Sequence, residues 1–136
     1  MPANKNLMSL DVGEKRIGVA LADTGVRIAV PYDTIEVDGG EVTAILDLAL
    51  REKVDTLVVG YPRNQAGLPT AQTAFVEEFA QKLSELDAEI AFQDESLTSV
   101  LAEERLKKHG RPYSKGDIDA QAAAIILQDY LEERYG

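Results

Sequence analysis

Leu7-Met8-Ser9-Leu10-Asp11-Val12-Gly13-Glu14-Lys15-Arg16-Ile17-Gly18-Val19-Ala20 places two short apolar runs, each at strand-like spacing, on either side of an Asp-x-Gly break. The pattern predicts a β-hairpin whose first strand delivers a carboxylate at its C-terminal end. Burying that carboxylate is costly unless a cation, a metal or several hydrogen bonds compensate it. Lys15 and Arg16 are the nearest cations along the chain. The structural alternative is that Asp11 only satisfies backbone donors of the turn.

Working outward, Asp23-Thr24-Gly25 reads as a turn, and Val30 to Val37 alternates apolar and polar residues around Pro31, as an edge strand does. Asp38-Gly39-Gly40 breaks that pattern, and Val42, Ile45, Leu46, Ala49 and Leu50 then recur at helical spacing, predicting a helix from about Gly40 to Lys53. Thr56-Leu57-Val58-Val59-Gly60 is a continuous apolar run of the kind found in strands covered on both faces. A loop from Tyr61 to Pro69 leads to a second amphipathic helix carrying Phe75, Phe79, Leu83 and Leu86. Glu89 to Gln93 is the next strand, ending on Asp94-Glu95. Ser96, Thr98 and Ser99 can cap a third helix that stops near His109, before Gly110 and Pro112. Asp117-Ile118-Asp119 opens the last helix, whose Ala122 to Leu127 is apolar nearly all round and therefore lies against the sheet.

The order βββαβαβαα predicts an α/β fold with a mixed five-stranded sheet, three antiparallel strands followed by parallel ones joined through right-handed crossovers, flanked by helices. The first strand is expected to sit centrally, beside the Leu57 strand. With 136 residues and no internal repeat, one domain spanning 1–136 is the expectation. The chain has no Cys, which excludes disulfides and thiolate metal sites. It shows no leader-like apolar run and no segment long enough to span a membrane, so a cytoplasmic protein is expected.

A net charge of -10 argues against a polyanionic partner, because phosphate binding depends on Lys and Arg. The distribution is more informative. Arg105, Lys107, Lys108, Arg111 and Lys115 fall in one window that holds no acid. One basic segment on an acidic body can steer a polyanion locally, although cations at a helix end also simply answer its dipole.

Ligands of open α/β sheets gather at the carboxyl ends of the strands. Asp11 and Glu95 stand at such ends, and Asp119 begins a helix able to cross the same end. Convergent carboxylates in a chain with no Cys and a single His suit hard cations such as Mg²⁺ or Mn²⁺. A pair of such ions about 4 Å apart can clamp the attacking and leaving oxygens of a phosphoryl displacement.

These stretches resemble the YqgF (RuvX) family, RNase H-like nucleases described both as Holliday junction resolvases and as pre-16S rRNA nucleases. Asp11 to Ala20 matches the family's opening Asp-x-Gly-x-Lys-Arg-Ile-Gly-Val-Ala. Val58-Val59-Gly60-Tyr61-Pro62-Arg63-Asn64 is similar to its Val-Val-Gly-x-Pro-x-Asn, with Gly67 in the loop that follows. Asp94-Glu95-Ser96-Leu97-Thr98-Ser99 is similar to Asp-Glu-Arg-x-Thr-Thr, and Lys115 to Ala123 to Lys-Gly-x-Ile-Asp-x-x-Ala-Ala. Ser96 stands where the family usually carries Arg, and Ser99 where it carries a second Thr.

The resemblance implies an RNase H-like fold and a two-metal-ion nuclease using Mg²⁺ or Mn²⁺, with Asp11 bridging the ions while Glu95 and Asp119 each hold one. Hydrolysis would leave a 5′-phosphate and a 3′-hydroxyl. Lys15, Arg16, Asn64, Thr98 and Lys115 are the expected substrate contacts. The favoured substrate is the 5′ end of pre-16S rRNA during ribosome biogenesis; branched DNA is the alternative, and the chain would act as a monomer or a homodimer. Each assignment has a rival. Asp94 could be the ligand instead of Glu95, Asp119 could be a helix cap, Lys15 could pair with Glu14 or Asp11, and Asn64 could serve a turn. His109 reads as an exposed helix end. At the level of the whole chain, the rivals are a nucleotide-binding domain and a non-catalytic module that binds nucleic acid or protein.

Overall fold

The computed structural model describes residues 4–62, 70–95 and 98–135. The elements follow the expected order: β1 (Asn6–Val12), β2 (Arg16–Asp23), β3 (Val30–Glu36), α1 (Glu41–Arg51), β4 (Thr56–Pro62), α2 (Ala71–Gln81), β5 (Glu89–Glu95), α3 (Thr98–Lys108) and α4 (Lys115–Tyr135). The five strands form one sheet in the order β3-β2-β1-β4-β5. β1 lies at its centre, antiparallel to β2 and parallel to β4, while β2 and β3 pair antiparallel and β4 and β5 parallel. The expected edge strand, β3, is an edge, with a register shift at Val19/Ala20 of its partner close to Pro31, which has no N–H to donate.

Alternation along the strands splits the core in two. Met8, Leu10, Val12, Ile17, Val19, Leu57 and Val59 face α1 and α2, meeting Ile45, Leu48, Val76 and Phe79. Leu7, Ala20 and Val58 face the opposite way, against Ala123, Ile126, Leu127, Tyr130 and Leu131 of α4. Burial of strand residues on both faces explains the continuous apolar run of β4. The alanines of α4 bring its backbone close to the sheet: the buried Ser9 hydroxyl donates to the Ala123 carbonyl at 2.6 Å. α3 packs on the outer side of α4 through Ala102, Ala122 and Ile125.

Two helix boundaries differ from the sequence reading. α2 ends at Gln81, short of Leu83 and Leu86, because the chain tightens into successive i to i−3 bonds, among them Leu83 N–H to Ala80 O and Leu86 N–H to Leu83 O. Three-residue spacing survives that change, so Leu83 is still fully buried. α4 starts at Lys115, before Asp117, because Ser114 and Asp117 cap it reciprocally. The Ser114 N–H donates to the Asp117 carboxylate at 2.8 Å and the Asp117 N–H donates to the Ser114 hydroxyl at 3.2 Å. Among the described residues, no helix is long and apolar enough to cross a membrane.

Candidate active site

Asp11 is the sixth residue of β1 and points to the α4 face of the sheet, along with Leu7 and Ser9. Directly opposite it on β2 is Gly18. A Cβ at Gly18 would lie 1.9 Å from the Asp119 carbonyl oxygen and 2.9 Å from the Ala120 nitrogen, so the absence of a side chain lets α4 descend onto the sheet at this point. On the other flank, β4 carries Gly60, one residue beyond the last paired position, Leu10 with Val59. A Cβ there would stand 3.1 Å from the Glu95 carboxyl carbon and 2.7 Å from Ile126 Cδ1. The Glu95 carboxylate therefore lies over Gly60, and the backbone of Asp119 over Gly18. Asp11 sits between them.

This crowding has an electrostatic signature. The carboxyl of Asp11 is pushed up to about 8 from the ordinary 3.8, first by burial, then by the negative charges of Glu95 and Asp119, and by a side-chain hydrogen bond with Glu95. Asp11 and Glu95 share a hydrogen bond that favours a proton on the pair. Glu95 is thus the member of the Asp94-Glu95 pair that meets Asp11. Asp94 lines a groove of about 710 Å³ beside α2, with Tyr61, Glu77 and Phe92. Asp119 is in the second turn of α4, past the Ser114 cap, so its carboxylate is not engaged as a helix cap. It accepts from Arg16, Nε to Oδ2 at 2.7 Å.

The remaining sequence-derived contacts are more dispersed. Lys15 is exposed in the β1–β2 turn, where its carbonyl accepts from the Val37 N–H. Lys115 is exposed at the start of α4, and the next residue, Gly116, accepts a 2.6 Å hydrogen bond from the Thr34 hydroxyl that ties α4 to β3. Arg16, part-buried at the start of β2, forms an ion pair with Asp119. Asn64, Gly67 and Ser96 lie outside the described residues, as does the side chain of Thr98. Arg105, Lys107, Lys108, His109 and Arg111 are all exposed around the C-terminal end of α3, where Lys107 makes a 3.6 Å pair with Glu103.

Sequence reasoning did not single out Gly18 or Gly60. The available signal was a glycine inside a strand-like apolar run, which marks a close approach of another backbone or a ligand.

The donor set is three carboxylates, without sulfur and without a nearby histidine, and their mutual repulsion raises the Asp11 carboxyl. Such a set suits a hard divalent cation, which would relieve that repulsion. Among the described residues, no three His, Asp or Glu side chains already stand as a metal-holding group.

Comparison with known proteins agrees with this architecture. The model of a family described as "RuvX: Holliday junction resolvase" matches residues 5–133. A protein of Chloroflexus aurantiacus named "Putative pre-16S rRNA nuclease" is 43% identical over 133 residues, covering 94% of this chain and 87% of that protein. One of the same name from Synechocystis is 42% identical over 132 residues, covering 93% and 87%. Among solved structures, Thermus thermophilus RuvC in complex with a Holliday junction superposes with a TM-score of 0.60 at 16% identity, covering 97% of this chain and 96% of that one. The fowlpox virus resolvase in complex with junction DNA gives 0.60 at 9% identity, covering 96% and 99%. At such identities these two likenesses speak for the fold, which is RNase H-like.

Proposed function

The chain belongs to the RuvX family, and from that membership we propose that it is a divalent-metal-dependent nuclease that hydrolyses phosphodiester bonds in the 5′ region of pre-16S rRNA. The observation that carries the chemistry is the convergence of Glu95 and Asp119 on a half-buried Asp11. The choice of RNA rests on curated relatives that share about four residues in ten with this chain over most of its length.

In this reading Asp11 lies between the other two acids and contributes an oxygen toward each side, while Glu95 and Asp119 close the two flanks. Two Mg²⁺ or Mn²⁺ ions held there would polarise the phosphoryl group and stabilise charge on the entering and leaving oxygens. Asp11 must lose the proton it shares with Glu95 before it can act as a ligand. Lys15, at the tip of the hairpin that carries Asp11, is placed to steady a backbone phosphate. Lys115 and the exposed cations around the end of α3 would hold more distant phosphates. Asn64 and Thr98 keep their proposed substrate roles from the family motifs. The work would be cytoplasmic, where rRNA is matured.

The family description supports a second substrate, a four-way DNA junction. The two are separated by giving the protein a precursor rRNA fragment and a synthetic junction side by side, each with Mg²⁺, and by measuring its mass in solution. Symmetric junction cleavage calls for a two-fold dimer, and rRNA trimming does not. We expect RNA cleavage that disappears in Asp11→Asn. Equal cleavage by that variant would remove the catalytic assignment, and inertness of the wild type on both substrates would leave a binding module.

A further inference from the structure

We propose that Arg16 is an internal counter-ion that competes with a divalent cation for Asp119, so that metal loading requires this ion pair to open. The inference rests on the metal-site reading above and concerns a residue that reading does not need.

Three observations carry it. Arg16 Nε stands 2.7 Å from Asp119 Oδ2, which uses one of the two oxygens that Asp119 could offer a metal. The backbone of Asp119 is fixed against Gly18, and Arg16 opens the strand to which Gly18 belongs, so guanidinium and carboxylate are delivered to each other by rigid elements. The pair is also accessible: the side chains are 29% and 23% exposed, which allows the guanidinium to leave without being stranded in an apolar core. In the absence of a cation the negative charge of Asp119 is thus answered by Arg16, and cation binding must displace that partner.

A merely structural ion pair predicts something different. If Arg16 only oriented Asp119 for the metal, removing it would weaken binding; if it competes, removing it strengthens binding. Calorimetric titration with Mn²⁺ alone, at one pH and ionic strength, distinguishes them. Arg16→Gln is expected to bind Mn²⁺ about five-fold more tightly than wild type, the scale of a partly exposed ion pair. The same variant is expected to melt lower than wild type without metal and to gain more from Mn²⁺. Lys15→Gln removes a neighbouring charge that does not contact Asp119, and its affinity should stay within about two-fold of wild type. Arg16→Lys loosens the pair while keeping the charge and is expected between the two; it serves if Arg16→Gln does not fold.

Equal or weaker Mn²⁺ binding by the Arg16 variants overturns the competition. So does a gain in Lys15→Gln as large as that in Arg16→Gln, since that would be a general field effect. Absence of Mn²⁺ binding by wild type and all variants is a different failure: it removes the metal-site reading itself, and the competition with it.

Discussion

Gly18 lies beneath the backbone of Asp119 with no room for a methyl group: a Cβ on Gly18 would fall 1.9 Å from the Asp119 carbonyl oxygen. Since that obstacle is backbone in the second turn of a packed helix, relief requires the start of α4 to lift from β2. Gly18→Ala is expected to cost at least ~3 kcal/mol and to lower the melting temperature well below wild type, at or beyond the upper end of ordinary overpacking. Gly60→Ala meets the far end of Ile126 at 2.7 Å and the Glu95 side chain at 3.1 Å, both of which can rotate, so its cost should be smaller, about 1–2 kcal/mol. Its signature should instead be weakened Mn²⁺ binding through a displaced Glu95. Thermal melts of the two variants, paired with the same titration, test the order; a Gly18→Ala protein as stable as wild type would mean that the second turn of α4 does not press on Gly18.

The raised carboxyl of Asp11 gives metal-free stability a definite slope with pH. Its folded value of about 8 exceeds the 3.8 of the unfolded chain, so the folded state binds the extra proton between those limits. The associated stability is complete below about pH 4 and is lost as pH rises through 8, at up to ~1.4 kcal/mol per pH unit. Other carboxylates titrate at the acid end, so the diagnostic quantity is the difference from Asp11→Asn, whose amide mimics the protonated acid and can still donate to Glu95. In EDTA, that variant should melt with wild type near pH 4 and increasingly above it as the pH rises to 8. Mg²⁺ should narrow the gap at pH 8 by stabilising wild type. Parallel melting curves for the two proteins from pH 5 to 8 would show that Asp11 is not the group holding the proton.

Capping of α4 separates a structural acid from a chemical one only two positions away. Ser114 and Asp117 exchange hydrogen bonds at the first turn, whereas Asp119 faces Arg16. Ser114→Ala should therefore cost about 1 kcal/mol, the usual value of an N-cap, and leave Mn²⁺ affinity unchanged. Asp119→Asn should do the reverse, losing metal affinity with little loss of helix. Chemical denaturation and calorimetry on both variants give the comparison, and a large metal effect of Ser114→Ala would tie the cap to the site.

What the sequence made legible follows from which forces are local. The hairpin at Gly13, the buried run of β4 and the central place of β1 are all written in periodicity of two and in turn residues, and the structure has them. The start of α4 was misread by two residues because Asp117 and Asp119 are equally good caps by type; only the Ser114 partner, three residues before Asp117, breaks the tie. The end of α2 is not legible from spacing alone, because i, i+3 spacing is shared by the α-helix and the tighter turns that replace it. In the site, the acids were visible as residue types at strand ends. The two glycines that let Glu95 and Asp119 reach Asp11 were not, because a missing side chain carries meaning only once its neighbour across the sheet is known. The tie of Arg16 to Asp119 joins positions 103 residues apart and has no local trace at all.

The basic segment offers the last prediction, and it concerns affinity without chemistry. Lys108, Arg111 and Lys115 are exposed and, among the described residues, make no ion pair with an acid, whereas Lys107 is partly answered by Glu103. On a chain of net charge -10, attraction of a polyanion has to be local, and these three side chains flank the start of the helix that carries Asp119. If they hold phosphates, each releases condensed counter-ions on binding, and log Kd varies with log salt by roughly 0.7 per contact for a single strand and 0.9 for a duplex. The triple variant Lys108→Ala, Arg111→Ala, Lys115→Ala should then bind a precursor rRNA fragment or a junction more weakly at low salt. Its salt slope should be shallower by about two to three. Mn²⁺ titration should be unaltered, since none of the three is placed beside the acids. An unchanged slope would leave Lys108 to the C-terminal dipole of α3 and remove the phosphate role from Arg111 and Lys115.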